Sequence, residues 1–116
     1  MCIRDSNNNN EINGDISLGT GNDAFTSTAV SFAGNENINA GSGDDVIQAG
    51  DGNDNLQGMS GNDILNGDNG NDIIDGGNDN DIVNGGAGND TLRGSGGDDI
   101  IDGLSLIHIS EPTRPY

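Results

Sequence analysis

The sequence predicts an all-β solenoid, in which short strands and turns stack in coils and two repeats close each coil. A nine-residue period runs without insertion from residue 40 to residue 102. Each of its seven blocks has an aspartate in the sixth place and an aliphatic residue in the eighth. Only 29% of the residues are hydrophobic and 21 are glycine, which is too little apolar material for a thick core. Such a period indicates stacked repeats, in which function is distributed along the chain.

Each block divides into a turn and a strand. The blocks read AGSGDDVIQ, AGDGNDNLQ, GMSGNDILN, GDNGNDIID, GGNDNDIVN, GGAGNDTLR and GSGGDDIID. The first six places are rich in the turn formers Gly, Asn, Asp and Ser, and the last three carry the β-branched and aliphatic residues of a short strand. Because neighbours in a strand point to opposite faces, we expect the eighth residue to face inward. Two blocks close one coil, so every second block lies on the same side, about 4.8 Å further along the stack.

The repeat is less regular before residue 40. Residues 7–39 are expected to form a polar linker and degenerate repeats, and residues 40–103 to form the regular roll. The block at 18–26, LGTGNDAFT, fits the pattern and is followed by a four-residue insertion at 27–30. The block at 31–39 has Glu where the other blocks have Asp. The stretch before residue 18 fits either a linker or a decayed repeat.

The two ends differ from the rest in composition. Residues 1–6 read MCIRDS, and residues 104–116 read LSLIHISEPTRPY. A single DNA sequence, ATGTGTATAAGAGACAG, encodes Met1 to Asp5 and starts a Ser codon, and its reverse complement encodes Leu104 to His108 and starts an Ile codon. This inverted relation is typical of the adapters used to build sequencing libraries, so we interpret both ends as translated adapter and expect the natural protein to continue beyond them. The alternative is that LSLIHI is an apolar tail that caps the stack.

Charge restricts the possible partners. The formal net charge is −17, which disfavours nucleic acid and anionic membranes and favours a polyvalent cation. No segment is long and apolar enough to predict a transmembrane helix. Between residues 7 and 103 there is no Cys, His or Lys, and Arg93 is the one basic residue. With these side chains absent, we predict that this segment is not an enzyme.

The blocks resemble the RTX (repeats-in-toxin, haemolysin-type) calcium-binding nonapeptide, G-G-x-G-x-D-x-U-x, where U is a large aliphatic residue. The resemblance implies a right-handed parallel β-roll with Ca²⁺ between stacked turns. It implies that carboxylate ligands come from the sixth-place aspartates: Asp23, Asp45, Asp54, Asp63, Asp72, Asp81, Asp90 and Asp99. It implies that carbonyl ligands come from the turn glycines: Gly41, Gly43, Gly50, Gly52, Gly61, Gly70, Gly77, Gly86, Gly88 and Gly97.

The chemistry of calcium agrees with this assignment. Ca²⁺ takes six to eight oxygen ligands, and a glycine-rich turn can direct several carbonyls to one point. Stacking should bring Asp45 near Asp63 on one side and Asp54 near Asp72 on the other. Those carboxylates repel one another until a divalent cation lies between them. Four turns on one side and three on the other predict about five interior ions. Folding should therefore depend on calcium.

Four residues depart from the glycine pattern. Met59, Asp68 and Ser95 stand in the second place, and Asp79 stands in the fourth. Asp79 either adds a ligand or strains its turn. The fifth-place asparagines are favoured as turn formers over calcium ligands: Asn53, Asn62, Asn71, Asn80 and Asn89. The third-place Asp51 is expected to be exposed.

The resemblance leads to one main functional hypothesis and two alternatives. We expect a calcium-induced folding module that belongs to a larger secreted bacterial protein of the type I secretion class. The first alternative is a calcium-stiffened spacer in an extracellular adhesin or surface protein. The second is the C-terminal module of a secreted protease, lipase or toxin whose catalytic domain lies elsewhere. The sequence does not identify the extracellular target of this larger polypeptide.

Overall fold

The computed structural model describes residues 2–3, 15–26, 34–103 and 108–109, which consist of strands and turns and include no helix. The strands are β1 (Cys2–Ile3), β2 (Asp15–Ser17), β3 (Ala24–Thr26), β4 (Asn37–Asn39), β5 (Val46–Gln48), β6 (Asn55–Gln57), β7 (Ile64–Asn66), β8 (Ile73–Gly77), β9 (Ile82–Asn84), β10 (Thr91–Ser95), β11 (Ile100–Asp102) and β12 (His108–Ile109). The all-β prediction is therefore confirmed. Within these residues, no helix could cross a membrane.

Successive strands of the repeats alternate between two sheets. One sheet has the order β1-β2-β4-β6-β8-β10-β12, and the other has the order β11-β9-β7-β5-β3. Every strand pair is parallel except β1 with β2. Two repeats therefore close one coil, which confirms the β-roll architecture predicted from the period. The right-handed winding stays a prediction.

The strand register follows the sequence period. In the regular part each residue pairs with the residue two blocks away, as Leu56 does with Ile74. Ile16 pairs with Ile38 and Phe25 with Ile47, and each of these separations is four residues longer. The difference is the length of the predicted insertion, which itself lies outside the described residues. β2 pairs in phase with β4, but residues 7–14 lie outside the described residues, so the choice between a linker and a decayed repeat stays a prediction.

The core is one narrow column along the axis of the roll. It consists of Ile16, Leu18, Phe25, Ile38, Ala40, Ile47, Ala49, Leu56, Leu65, Ile74, Val83, Leu92 and Ile101. Every eighth-place residue of the seven regular blocks belongs to it, which confirms that this place faces inward. Phe25 is 4% exposed and is part of the core. Phe32, for which the same position was expected, lies outside the described residues.

The two short end strands fall in the segments interpreted as adapter. β1 pairs antiparallel with β2, and β12 pairs parallel with β10. The second pairing is the arrangement that an apolar tail capping the stack would have. These contacts do not test the origin of either segment, so the adapter interpretation stays a prediction.

Candidate metal sites

The sixth-place aspartates lie inside the roll. The side chains alternate along each strand, so the sixth and eighth residues share the inner face while the seventh faces solvent. The seven carboxylates of the regular blocks are only 0–4% exposed: Asp45, Asp54, Asp63, Asp72, Asp81, Asp90 and Asp99. Asp23, in the earlier block, is half-buried. A buried carboxylate costs free energy unless it is paired and hydrogen-bonded.

One oxygen of each carboxylate joins two coils. Oδ1 of Asp63 accepts the backbone N–H of Asp45 at 2.8 Å, and Oδ1 of Asp72 accepts that of Asp54 at 2.7 Å. The same bond recurs at every sixth place on both sides of the roll, with lengths of 2.7–2.9 Å. The aspartates that stacking was expected to bring together are therefore neighbours, 18 residues apart in the regular part.

The second oxygen has no partner. Oδ2 is buried without a hydrogen bond in every described sixth-place aspartate: Asp23, Asp45, Asp54, Asp63, Asp72, Asp81, Asp90 and Asp99. The cost of leaving a buried charged acceptor unsatisfied is several kcal/mol, larger than the net value of an ordinary hydrogen bond. A column of such oxygens is stabilised by protonation or by positive charge inside the turns.

The turn glycines have the conformation that the repeat requires. All ten glycines whose carbonyl oxygens are predicted to bind calcium have positive φ, between 84° and 130°. A Cβ atom on Gly61 would collide with the carbonyl oxygen of Gly43 in the preceding coil. The same collision recurs from coil to coil, so these carbonyls point along the stack towards the next turn. Glycine has no Cβ, so it adopts positive φ at so close an approach of two backbones with the least strain.

Some of the turn carbonyls accept backbone hydrogen bonds from the neighbouring coil, and others do not. Among the described residues, the bonds that join successive turns have second-, third-, sixth- and ninth-place carbonyls as acceptors. The carbonyls of the fourth place lie outside this ladder. Those of the fourth place include Gly43 and Gly70, both predicted as ligands. These oxygens can accept a cation without the loss of a bond between coils.

The predicted ligand set omitted the first-place glycines. Gly58, Gly67, Gly76, Gly85 and Gly94 are buried, and a Cβ on any of them would meet Oδ2 of the sixth-place aspartate of the same turn. A Cβ on Gly58 would also meet the carbonyl oxygen of Gly76. Because glycine has no side chain, the carboxylate of the same turn can lie directly against the first-place Cα. Glycine fills five of the seven first places of the regular blocks, and this recurrence is the sequence signal that could have identified these residues.

Fifth-place side chains form a second ladder, opposite in direction to the first. Oδ1 of Asn53 accepts the backbone N–H of Asn71, and Oδ1 of Asn71 accepts that of Asn89, each at 2.8 Å. Asp44, Asn62 and Asn80 occupy equivalent positions on the other side. These exposed side chains therefore bond successive turns together, which agrees with the turn-forming role predicted for the fifth-place asparagines. Asp51 is exposed, as expected, and its carboxylate accepts an N–H of the Asn69 side chain at 2.8 Å.

The four departures from glycine keep the backbone of the glycine they replace. Met59, Asp68, Asp79 and Ser95 are the described non-glycine residues with positive φ, at 71–80°. Each therefore strains its turn, because L-residues rarely adopt this region. Asp79 also accepts the N–H of Gly61 at 3.2 Å through its carboxylate, which offsets part of that strain. In the degenerate block, Glu36 is 2% exposed and occupies the acidic place.

The titration of the aspartates reflects their environment. Burial raises the pKa of Asp72 and Asp81 to about 7, and that of Asp54 and Asp63 to about 6. It also raises the pKa of Asp45. The backbone N–H bond at Oδ1 lowers each pKa in part, and neighbouring carboxylates raise it again. The ionised forms of these five carboxylates are therefore poorly stabilised by the protein alone.

These groups fit a hard cation that takes oxygen ligands. Among the described residues, no three His, Cys, Asp or Glu side chains cluster as a metal site. A cation in these turns would therefore need backbone carbonyls as well as carboxylates. Buried Oδ2 atoms without hydrogen bonds and fourth-place carbonyls outside the hydrogen-bond ladder together suit Ca²⁺, which accepts six to eight oxygens in flexible geometry.

The fold and these turns define a class of protein: a parallel β-solenoid whose repeats each offer buried carboxylate and backbone oxygens to a cation. Comparison with known families gives the particular one. The family model described as "RTX calcium-binding nonapeptide repeat (4 copies)" matches residues 31–65, 48–83 and 75–105. These matches cover more than half of the 116 residues, so the chain belongs to the RTX calcium-binding nonapeptide repeat family. Searches of curated proteins and of solved structures gave no match.

Proposed function

We propose that calcium binds between successive turns of this roll and drives its folding. The observation that carries this proposal is the column of buried Oδ2 atoms without partners. Without a cation, folding places negative charges inside a narrow column that contains little apolar material. With calcium, the same carboxylates become ligands, and their mutual repulsion turns into a shared attraction to the ions.

The proposed ligands are the sixth-place aspartates and the carbonyl oxygens of the turn glycines. Calcium supplies positive charge and accepts these oxygens, while the chain positions them by stacking. If each site binds at about 0.1 mM and free calcium is about 1 mM, each ion contributes about 1.4 kcal/mol. About five ions then contribute on the order of 7 kcal/mol, comparable to the whole stability of a small domain. Calcium at that level would decide whether the chain is folded.

We further propose that the roll is a non-catalytic module of a larger secreted protein. RTX repeat proteins are typically secreted, and free calcium is scarce inside cells and millimolar outside. A chain that folds only in calcium would stay unfolded during export and fold on arrival. The lack of Cys, His and Lys between residues 7 and 103 supports a role in binding. Any protease, lipase, toxin or adhesin activity would belong to other parts of the parent polypeptide.

Far-UV circular dichroism of the chain, titrated first with calcium and then with magnesium, tests this function. We expect a transition from coil to β structure at sub-millimolar to millimolar calcium. Magnesium should not produce it, because Mg²⁺ requires nearly ideal octahedral geometry and retains its water ligands. A roll that is folded in excess chelator would refute calcium-driven folding. Absence of a transition up to about 10 mM calcium would refute calcium-driven folding of this chain in the extracellular range.

A further inference from the structure

The inner face of the roll changes composition from one end to the other. In residues 15–57 the core contains eight hydrophobic residues: Ile16, Leu18, Phe25, Ile38, Ala40, Ile47, Ala49 and Leu56. In residues 58–103 it contains five: Leu65, Ile74, Val83, Leu92 and Ile101. The acidic residue of the sixth place does not follow this trend, because every block in both ranges has one, including Glu36 in the block at 31–39. Apolar packing therefore decreases along the roll, while the acidic charge per block stays the same.

The difference arises at the first place of the repeat. Leu18, Ala40 and Ala49 occupy it in the N-terminal blocks, and all three are buried in the core. Glycine occupies it in every block from residue 58 onward. There the space beside the first-place Cα is taken by Oδ2 of the aspartate, as at Gly85 and Asp90. An apolar contact in the early turns is thus replaced by a carboxylate contact in the later ones.

We infer that calcium control is graded along the roll: the coils of residues 58–102 fold only with calcium, whereas those of residues 15–57 form at a lower calcium concentration. In stacked repeats, stability is close to a sum of local terms and nearest-neighbour contacts, so two halves of one roll can differ. Early coils gain more from burial of apolar groups, and later coils depend on the ions that neutralise their carboxylates. This inference rests on the proposed calcium-driven folding.

Hydrogen–deuterium exchange of the full chain, measured by mass spectrometry across a calcium titration, tests the gradient. The comparison uses peptides that cover β5 and β6 against peptides that cover β8 and β9, because both pairs have neighbours on each side of the stack. We expect protection of β5 and β6 to appear at the lower calcium concentration. Protection of all four strands at a single midpoint, or first in β8 and β9, would overturn the inference.

A pair of substitutions tests the cause. Removing both methyl groups, Ala40→Gly with Ala49→Gly, should raise the midpoint for β5 and β6 towards that of β8 and β9. The expected change is about fourfold per methyl group in the equilibrium constant for forming these coils. Ala87→Gly is the matched control, because Ala87 is exposed in the third place and should leave the order unchanged. If Ala40→Gly and Ala49→Gly leave the midpoint of β5 and β6 unchanged, the first-place residue is not the cause.

The same experiment separates this inference from the proposed function. If both strand pairs are already protected in chelator, or neither is protected at saturating calcium, calcium-driven folding itself is wrong. If protection requires calcium but develops uniformly, the function stands and the gradient fails. The wild-type chain alone gives this distinction, so it does not depend on whether a variant folds.

Discussion

Asp72→Asn removes one carboxylate from the middle of the roll and keeps its shape. Asp72 is 1% exposed, its Oδ1 accepts the N–H of Asp54, and its own N–H donates to Oδ1 of Asp90. An Asn side chain can preserve the bond at Oδ1 but replaces Oδ2 by an uncharged amide. Because Asp72 faces a neighbour on each side, the substitution affects two proposed ions. At about 1 mM calcium, the expected loss is about 3 kcal/mol in the free energy of unfolding.

The assay is urea unfolding at fixed calcium, combined with calcium stoichiometry from isothermal titration calorimetry. Asp51→Asn is the matched control: it makes the same charge change at an exposed third-place residue, and should change stability by less than about 0.5 kcal/mol. The reasoning would be refuted if Asp72→Asn bound as many ions as the wild type with unchanged stability. It would also be refuted if Asp51→Asn lowered the stoichiometry equally.

Four further changes have defined outcomes. The calcium concentration at the folding midpoint should rise as pH falls from about 8 to about 5, because ions must displace protons from carboxylates such as Asp81, whose pKa is about 7. Any roll folded without calcium should instead lose stability as pH rises through that pKa, since its folded form holds the extra protons. A calcium midpoint that does not change with pH would contradict both expectations. Met59→Gly should raise stability by about 1 kcal/mol in urea unfolding with calcium, because φ is 79° there, and a decrease would show that the turn is unstrained. Leu65→Ala should cost about 3 kcal/mol in the same assay, since Leu65 is fully buried, and a loss below about 1 kcal/mol would mean a loosely packed core. Asn71→Ala should cost about 1 kcal/mol and leave calcium stoichiometry unchanged in calorimetry, whereas loss of an ion would make Asn71 a ligand.

The nine-residue period was enough to predict most of the fold. Each block repeats the same local choice, so turn residues, strand residues and inward aliphatics all favour one register. A residue such as Leu56 therefore pairs with Ile74 as the spacing predicts. The insertion was also readable, because the phase of the repeat resumes after it and the pairing of Phe25 with Ile47 absorbs the extra residues.

The hydrogen bonds between coils could not be predicted from one block. Whether Oδ1 of Asp63 bonds backwards, and that of Asn62 bonds forwards, depends on how two turns are offset when they stack. No local propensity determines that offset. The importance of the first-place glycine was missed for the same reason, since the group that excludes a Cβ at Gly85 is a carboxylate folded back from Asp90.

A crystal structure of the chain grown in calcium, with an anomalous difference map, would locate the ions. We expect peaks inside the turns beside the Oδ2 atoms, in the gaps between Asp63 and Asp81 and between Asp72 and Asp90, with turn carbonyls completing each ligand set. Peaks confined to exposed carboxylates such as Asp51, with the buried Oδ2 atoms left without a cation, would contradict calcium binding as the reason for the repeat.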